Sequence, residues 1–177
     1  AQSTVLEVGF RLTLSPKDEV RRPDLGVVKN DNPIPLKPSD KSYQGTFDLC
    51  IEALSNSSVT DIKRDTEDKW LEYAQGGVKE YYILDGHNRY TAFYHLNKRG
   101  VYVPIKPKKG GIIQAIELPG FQFRISDLSD HPSPEQMIDD PVYQGFVLPG
   151  YSKEKKARQQ AEQKAQEAKQ LAETEKK

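Results

Sequence analysis

Phe47-Asp48-Leu49-Cys50-Ile51-Glu52-Ala53-Leu54 reads as a strand that carries an acid where an apolar residue is expected. Side chains alternate across an extended chain, so Leu49, Ile51 and Ala53 share one face while Asp48, Cys50 and Glu52 share the other. Apolar residues on both sides of Glu52 predict a central strand, over residues 46–54, covered on both faces. After Ser55-Asn56-Ser57-Ser58, a loop rich in capping side chains, the pattern predicts a helix over residues 61–75. Thr60 or Asp61 serves as its N-cap, acids fill its early turns, and Gly76-Gly77 stops it. Ile62, Thr66, Lys69 and Tyr73 are spaced four, three and four, so they line one side, widened by Trp70 and Ala74. A carboxylate in a buried strand and an ammonium on the inner face of the next helix are both costly unless something pairs or uses them.

The flanking chain fits around this unit. Val8, Phe10, Leu12 and Leu14 alternate with Gly9, Arg11 and Thr13, which predicts a half-buried strand. A turn at Ser15-Pro16-Lys17-Asp18 and the run Arg21-Arg22-Pro23-Asp24 lead into a short strand at Leu25-Gly26-Val27-Val28. Pro23 removes a backbone donor and so favours the entry of that strand. Residues 29–45, broken by Pro33, Pro35 and Pro38, read as a long loop without regular structure. Downstream, residues 80–85 form the next strand, Asp85-Gly86-His87-Asn88 a turn, and residues 89–96 an antiparallel return. Short strands follow at 101–103, 112–116 and 121–123. The proline-bearing stretch 126–150 reads as an irregular wrap. From Tyr151 the chain becomes Lys, Glu, Gln and Ala without Gly or Pro, which favours helix. Ala161, Ala165, Ala168 and Ala172 make a thin heptad-like seam, compatible with a solvated helix or a weak coiled coil that mediates self-association. The expected domains are therefore residues 1–150 and a charged helical tail over 151–177.

Charge restricts the function classes. The chain is neutral overall, but the tail holds eight Lys/Arg against five Glu, leaving 18 Lys/Arg against 21 Asp/Glu in residues 1–150. The globular part has no bulk basic excess, which argues against a high-affinity, non-specific nucleic-acid binder; a local patch or a metal remains the route to nucleic acid. One cysteine, Cys50, allows no disulfide within the chain and fits a reducing cytoplasm. No run approaches transmembrane length and no signal peptide is visible. The chain starts with Ala and opens almost directly into a strand pattern, which points to a missing N-terminal piece.

Asp24, Glu52 and Lys69 form the candidate catalytic site. Two carboxylates on neighbouring strands can hold a hard divalent cation, with waters and a backbone carbonyl completing the shell. A nearby lysine can orient an attacking water and offset charge on a phosphate. On spacing alone, a strand-entry turn at Asp24 and a structural Glu52–Lys69 ion pair explain the same residues. His87, His95 and His131 lack the spacing of a zinc site, and no Gly-rich phosphate loop is present. Asp85 could lie near the site, but a turn-starting Asp is the commoner explanation. Asp48, on the face of Glu52, is only a minor candidate for supporting it. Tyr81, Tyr82, Tyr90 and Tyr94 fit sheet packing better than base stacking. Arg21 and Arg22 are equally consistent with phosphate contact and with solvation.

The order Arg22-Pro23-Asp24-Leu25-Gly26-Val27-Val28, residues 47–55, Lys69-Trp70-Leu71-Glu72-Tyr73-Ala74 and residues 77–85 resembles a bacterial family abundant in cyanobacteria. That family is the restriction-endonuclease-like group of the PD-(D/E)XK nuclease superfamily, and the resemblance covers roughly residues 5–128. It implies an α/β restriction-endonuclease-like fold, with a mixed central sheet, flanking helices and a C-terminal charged helix. It also implies Mg²⁺ or Mn²⁺ as cofactor, DNA as substrate, and Asp24 and Glu52 as metal ligands, with the backbone carbonyl of Ala53 beside them. Leu54 stands where the motif places lysine. Family members commonly carry that lysine on the following helix, where Lys69 matches. The chain departs from the family in lacking its N-terminal helix and early strands, which can carry a further acid. A metal-dependent endodeoxyribonuclease is the leading expectation, with a homodimer as one way to cut both strands. A catalytically inactive DNA-binding or assembly module on the same fold is the rival.

Overall fold

The computed structural model describes residues 3–54, 58–147 and 149–174. The chain divides into two compact units, residues 1–119 and 120–177. The first contains β1 (Ser3–Leu6), β2 (Gly9–Leu12), β3 (Glu19–Arg21), β4 (Leu25–Val28), β5 (Ser42–Tyr43) and β6 (Leu49–Leu54). A helical segment follows in three pieces: α1 (Val59–Lys63), a π-helical turn (Arg64–Asp68) and α2 (Lys69–Gln75). Then come β7 (Glu80–Asp85), β8 (Ala92–Leu96), β9 (Tyr102–Pro104) and β10 (Ile112–Gln114).

Six strands form a mixed sheet in the order β1-β4-β6-β7-β8-β9, the α/β architecture expected of the sequence. All its pairings are antiparallel except β6 with β7, which run parallel in the register Glu52↔Ile83 and Leu54↔Asp85. Parallel neighbours need a crossover, and the helical segment supplies it. Its inner face covers Cys50, Leu54, Tyr81 and Ile83 with Tyr73 and Ala74. The opposite face of β6 is less enclosed than the apolar pattern predicts: Ile51 is half-buried and Ala53 exposed. That face thus opens toward the strand end, where Glu52 lies.

β3-β2-β5 make a separate three-stranded sheet. Phe10 and Leu12 of β2 are buried while Arg11 is exposed, as the alternation requires. The loop 29–45 is anchored by the buried Tyr43, whose hydroxyl donates to the Ile34 carbonyl; its two-residue β5 is a small departure from an unstructured loop. Phe10, Tyr43 and Phe47 pack ring to ring at 4.8 Å. A Cβ built on Gly26 would stand 2.6 Å from the Phe47 ring, so only glycine fits this point of β4. Gly26→Ala is expected to lower stability by about 1–3 kcal/mol through overpacking. Chemical denaturation that finds no loss would contradict that packing.

β1 and β3 stand where no strand was expected, β6 starts at Leu49 rather than residue 46, and further boundaries differ from expectation. The helical segment starts at Val59, and its N-cap is Ser58 rather than Thr60 or Asp61: the Ser58 hydroxyl accepts the Asp61 N–H at 3.1 Å. Strand β8 begins at Ala92 rather than residue 89, because the Asp85 carboxylate holds 87–90 in the preceding turn. The stretch 126–150 is not irregular throughout. In the second unit, β11 (Gln122–Arg124) is followed by α3 (Asp127–Asp130), α4 (Pro134–Asp139) and α5 (Pro149–Thr174). Ser133 and Gln136 close a capping box with Pro134 in the first turn, so this proline starts a helix instead of breaking one. Arg124 joins Asp140 and Asp127, and Tyr143 donates to Asp127, around the buried Ile138 and Val142. Along α5, Arg158–Glu162 at 3.0 Å is a one-turn ion pair on an exposed face. No described helix is long and apolar enough to cross a membrane.

Candidate functional site

Glu52 sits near the end of β6 and points into the helical segment. Only 2% of it is exposed. Its Oε2 is 2.8 Å from the Lys69 Nζ, and its Oε1 accepts the Tyr73 hydroxyl at 2.7 Å. Lys69 opens α2 and is itself 7% exposed. The lysine therefore reaches the acid from the following helix, across the position where Leu54 fails to supply one.

Asp65 completes the cluster. It is 3% exposed, and its Oδ1 is 2.7 Å from Lys69 Nζ and 3.2 Å from Arg64 Nε. Arg64 continues to Asp61 at 2.9 Å. The Asp65 backbone carbonyl accepts the Tyr81 hydroxyl, which fixes the wide turn to β7. Sequence reading passed over Asp65 because a regular 3.6-residue period put Thr66 in the stripe. Asp65 is the buried residue of the π-helical turn over residues 64–68, and it fits the same inner stripe as Thr66. The usable signal was its spacing, four residues before Lys69.

Burial pushes the Glu52 carboxyl above the usual carboxylate range, opposed by the Lys69 ammonium and the Tyr73 hydroxyl. The direction is the one expected of an acid whose desolvation is only partly offset by one shared cation. Burial also pushes the neighbouring Cys50 thiol well up, so it is a packing group rather than a nucleophile.

Asp24 is exposed at the entry of β4. Its Oδ2 accepts the Ala53 N–H at 2.6 Å, which fastens it to β6 one residue past Glu52. The antiparallel register, Leu25↔Ile51, carried one residue further sets Asp24 opposite Glu52. Asp24, Glu52 and the Ala53 backbone thus share one end of two paired strands, with Lys69 beside Glu52. Among the described residues, no group of three or more His, Cys, Asp and Glu side chains is placed to hold a metal ion. Two carboxylates with a backbone carbonyl are nevertheless the hard oxygen donors that suit Mg²⁺ or Mn²⁺, which keep several waters.

The remaining candidates have structural work. Asp85 accepts the N–H groups of His87, Arg89 and Tyr90 at 2.9–3.1 Å. Asp48 accepts the Lys29 N–H and the Asn32 amide, tying down the start of the long loop. Arg21 is held bidentately by Glu72 of α2, whereas Arg22 is exposed. Tyr81 and Tyr82 are buried in the sheet, but Tyr90 is exposed.

Residues 2–126 match the model of a family described as "Uma2: Putative restriction endonuclease". A crystal structure of "a putative nuclease belonging to DUF820 from Anabaena variabilis ATCC 29413" is similar with a TM-score of 0.52 and 15% identity. The similarity covers 73% of this chain and 68% of that one. At that identity the likeness speaks for the fold. No curated protein matches the chain.

Proposed function

Because this chain belongs to the Uma2 family of restriction-endonuclease-like proteins, we propose that it is a metal-dependent endodeoxyribonuclease. The observation that carries the proposal is the Lys69 ammonium 2.8 Å from Glu52, delivered by the helix after the acid-bearing strand. Asp24, Glu52 and the Ala53 carbonyl would hold Mg²⁺ or Mn²⁺. When bound, such an ion lowers the pKa of a coordinated water and polarises the phosphorus–oxygen bond. The chain's own residues do the rest. Lys69 orients the attacking water through its N–H donors and offsets negative charge gathering on the phosphate. Asp65 keeps Lys69 aimed by accepting from the same Nζ. Tyr73 fixes the Glu52 carboxylate through Oε1.

The same network favours one other reading. Both Glu52 oxygens are engaged within the chain, and Lys69 is shared by two carboxylates. A self-satisfied buried cluster also suits a non-catalytic DNA-binding or assembly module. Plasmid nicking with Mg²⁺ or Mn²⁺ separates the two. Wild-type protein is expected to nick, and Asp24→Asn and Glu52→Gln to lose at least about 10²-fold in rate, the scale of losing a main transition-state interaction. Equal rates in all three proteins, or none in the wild type, would remove the catalytic reading.

A further inference from the structure

β6 and β7 run parallel, so their C-terminal ends lie together, with Leu54 level with Asp85. The turn after β7 therefore emerges beside the Glu52 end of β6. The buried Asp85 carboxylate makes this turn rigid by accepting three of its backbone N–H groups. Residues 86–90 are all exposed on it. Arg89 has a side chain 56% exposed, its Nε 3.8 Å from Asp85 Oδ2 and its guanidinium 5.8 Å from the centre of the Tyr90 ring, so its remaining donors face outward from a side chain anchored at the turn. On the other flank, β4 is antiparallel to β6, and its entry carries the exposed Arg22 just before Pro23 and Asp24. The strand order β4-β6-β7 puts β4 and β7, which these two segments adjoin, two strand spacings apart, about 10 Å, on either side of β6. Between them lie the exposed Asp24 and the buried Glu52 with its Lys69 partner.

We infer that Arg22 and Arg89 bracket the site and take the phosphates on either side of the one presented to Glu52, on the backbone of duplex DNA. This rests on the nuclease reading for the identity of the substrate. It answers what the sequence leaves open, namely how a domain with excess acid meets nucleic acid. Two arginines at the strand ends make a local positive rim around an acidic centre. Guanidinium groups suit phosphate because they offer paired donors in one plane. The turn held by Asp85 presents Arg89 with little backbone freedom left to lose on binding.

The test is binding of a fluorescein-labelled 20-base-pair duplex to the full chain in EDTA buffer, followed by anisotropy over a salt series. Arg22→Ala and Arg89→Ala are each expected to reduce the slope of log K against log salt by about 0.9 and to weaken binding roughly five- to tenfold at 0.1 M salt. Arg89→Lys keeps the charge and is expected to retain the wild-type slope. Arg99→Ala, in the turn between β8 and β9 at the opposite end of the sheet, is the control and is expected to bind as wild type. No binding by the wild type, or unchanged slopes in Arg22→Ala and Arg89→Ala, overturns the inference. Because no cleavage is read, a protein that fails to nick plasmid yet shows the slope change keeps the arginine rim and loses only the nuclease reading.

Discussion

Lys69→Met is expected to lower the unfolding free energy by about 3–5 kcal/mol at pH 8, and by distinctly less at pH 5. Methionine keeps the apolar stem, so the change is chiefly the loss of one ammonium between two buried carboxylates. Asp65 retains Arg64, and Glu52 retains only the Tyr73 hydroxyl. The pH dependence follows from the sign of the Glu52 shift. Burial already raises that carboxyl, and removing the ammonium that opposes the rise raises it further. The folded variant then binds a proton that the unfolded chain, with an ordinary carboxyl, has released. Between the ordinary value and the raised one, stability falls as pH rises, so the full deficit appears at pH 8. As pH falls toward the raised value, the buried carboxyl takes up its proton in the variant and its cost shrinks. Urea unfolding of wild type and variant at both pH values reads this directly. Equal deficits at the two pH values would show that Glu52 is not the group left uncompensated. Glu52→Gln/Lys69→Met, which removes both charges of the pair, is expected to recover part of the pH 8 loss.

The strands were legible in the sequence because β2 alternates while β4, β6 and β7 are nearly continuous apolar runs: Phe10, Leu12, Val27, Leu49 and Tyr81 are all buried. The Glu52–Lys69 pairing was legible for a different reason. Each residue alone violates the apolar pattern of its element, and two violations on adjoining elements cancel by meeting. Asp65 escaped because periodicity does not choose between it and Thr66: three residues after Ile62 and four before Lys69, it fits the same helical stripe. The boundary errors have another origin: Ser58, Ser133 and Asp85 each use a side chain to replace a backbone bond, which shifts where an element starts. Arg21 escaped assignment because its partner, Glu72, lies 51 residues away, and such pairings exist only once the fold is formed.

Glu80 carries the second large effect and shows the limit of reading a buried acid as a site. It is fully buried, like Glu52, and stands in an equally apolar strand. Its partners differ. The Tyr82 hydroxyl donates to Oε2, and the backbone N–H groups of Ile116 and Glu117 donate to Oε1, the latter at 2.6 Å. No cation is among them, so this carboxylate works as a clamp that holds residues 116–117 to β7. Glu80→Ala strands two backbone donors and a hydroxyl and opens a cavity, for an expected loss of about 3–5 kcal/mol. Glu80→Gln retains one oxygen for both N–H groups, and the Tyr82 hydroxyl can turn to accept from the amide. Its expected loss is about 1–2 kcal/mol, with plasmid nicking unchanged. Glu52→Gln reverses that pattern, since it removes a charge the chemistry uses while Tyr73 still has an oxygen to meet. Unfolding curves and nicking rates for the two Gln variants, measured side by side, therefore sort one buried acid from the other. Loss of nicking in Glu80→Gln at unchanged stability would place Glu80, and not Glu52 alone, in the chemistry.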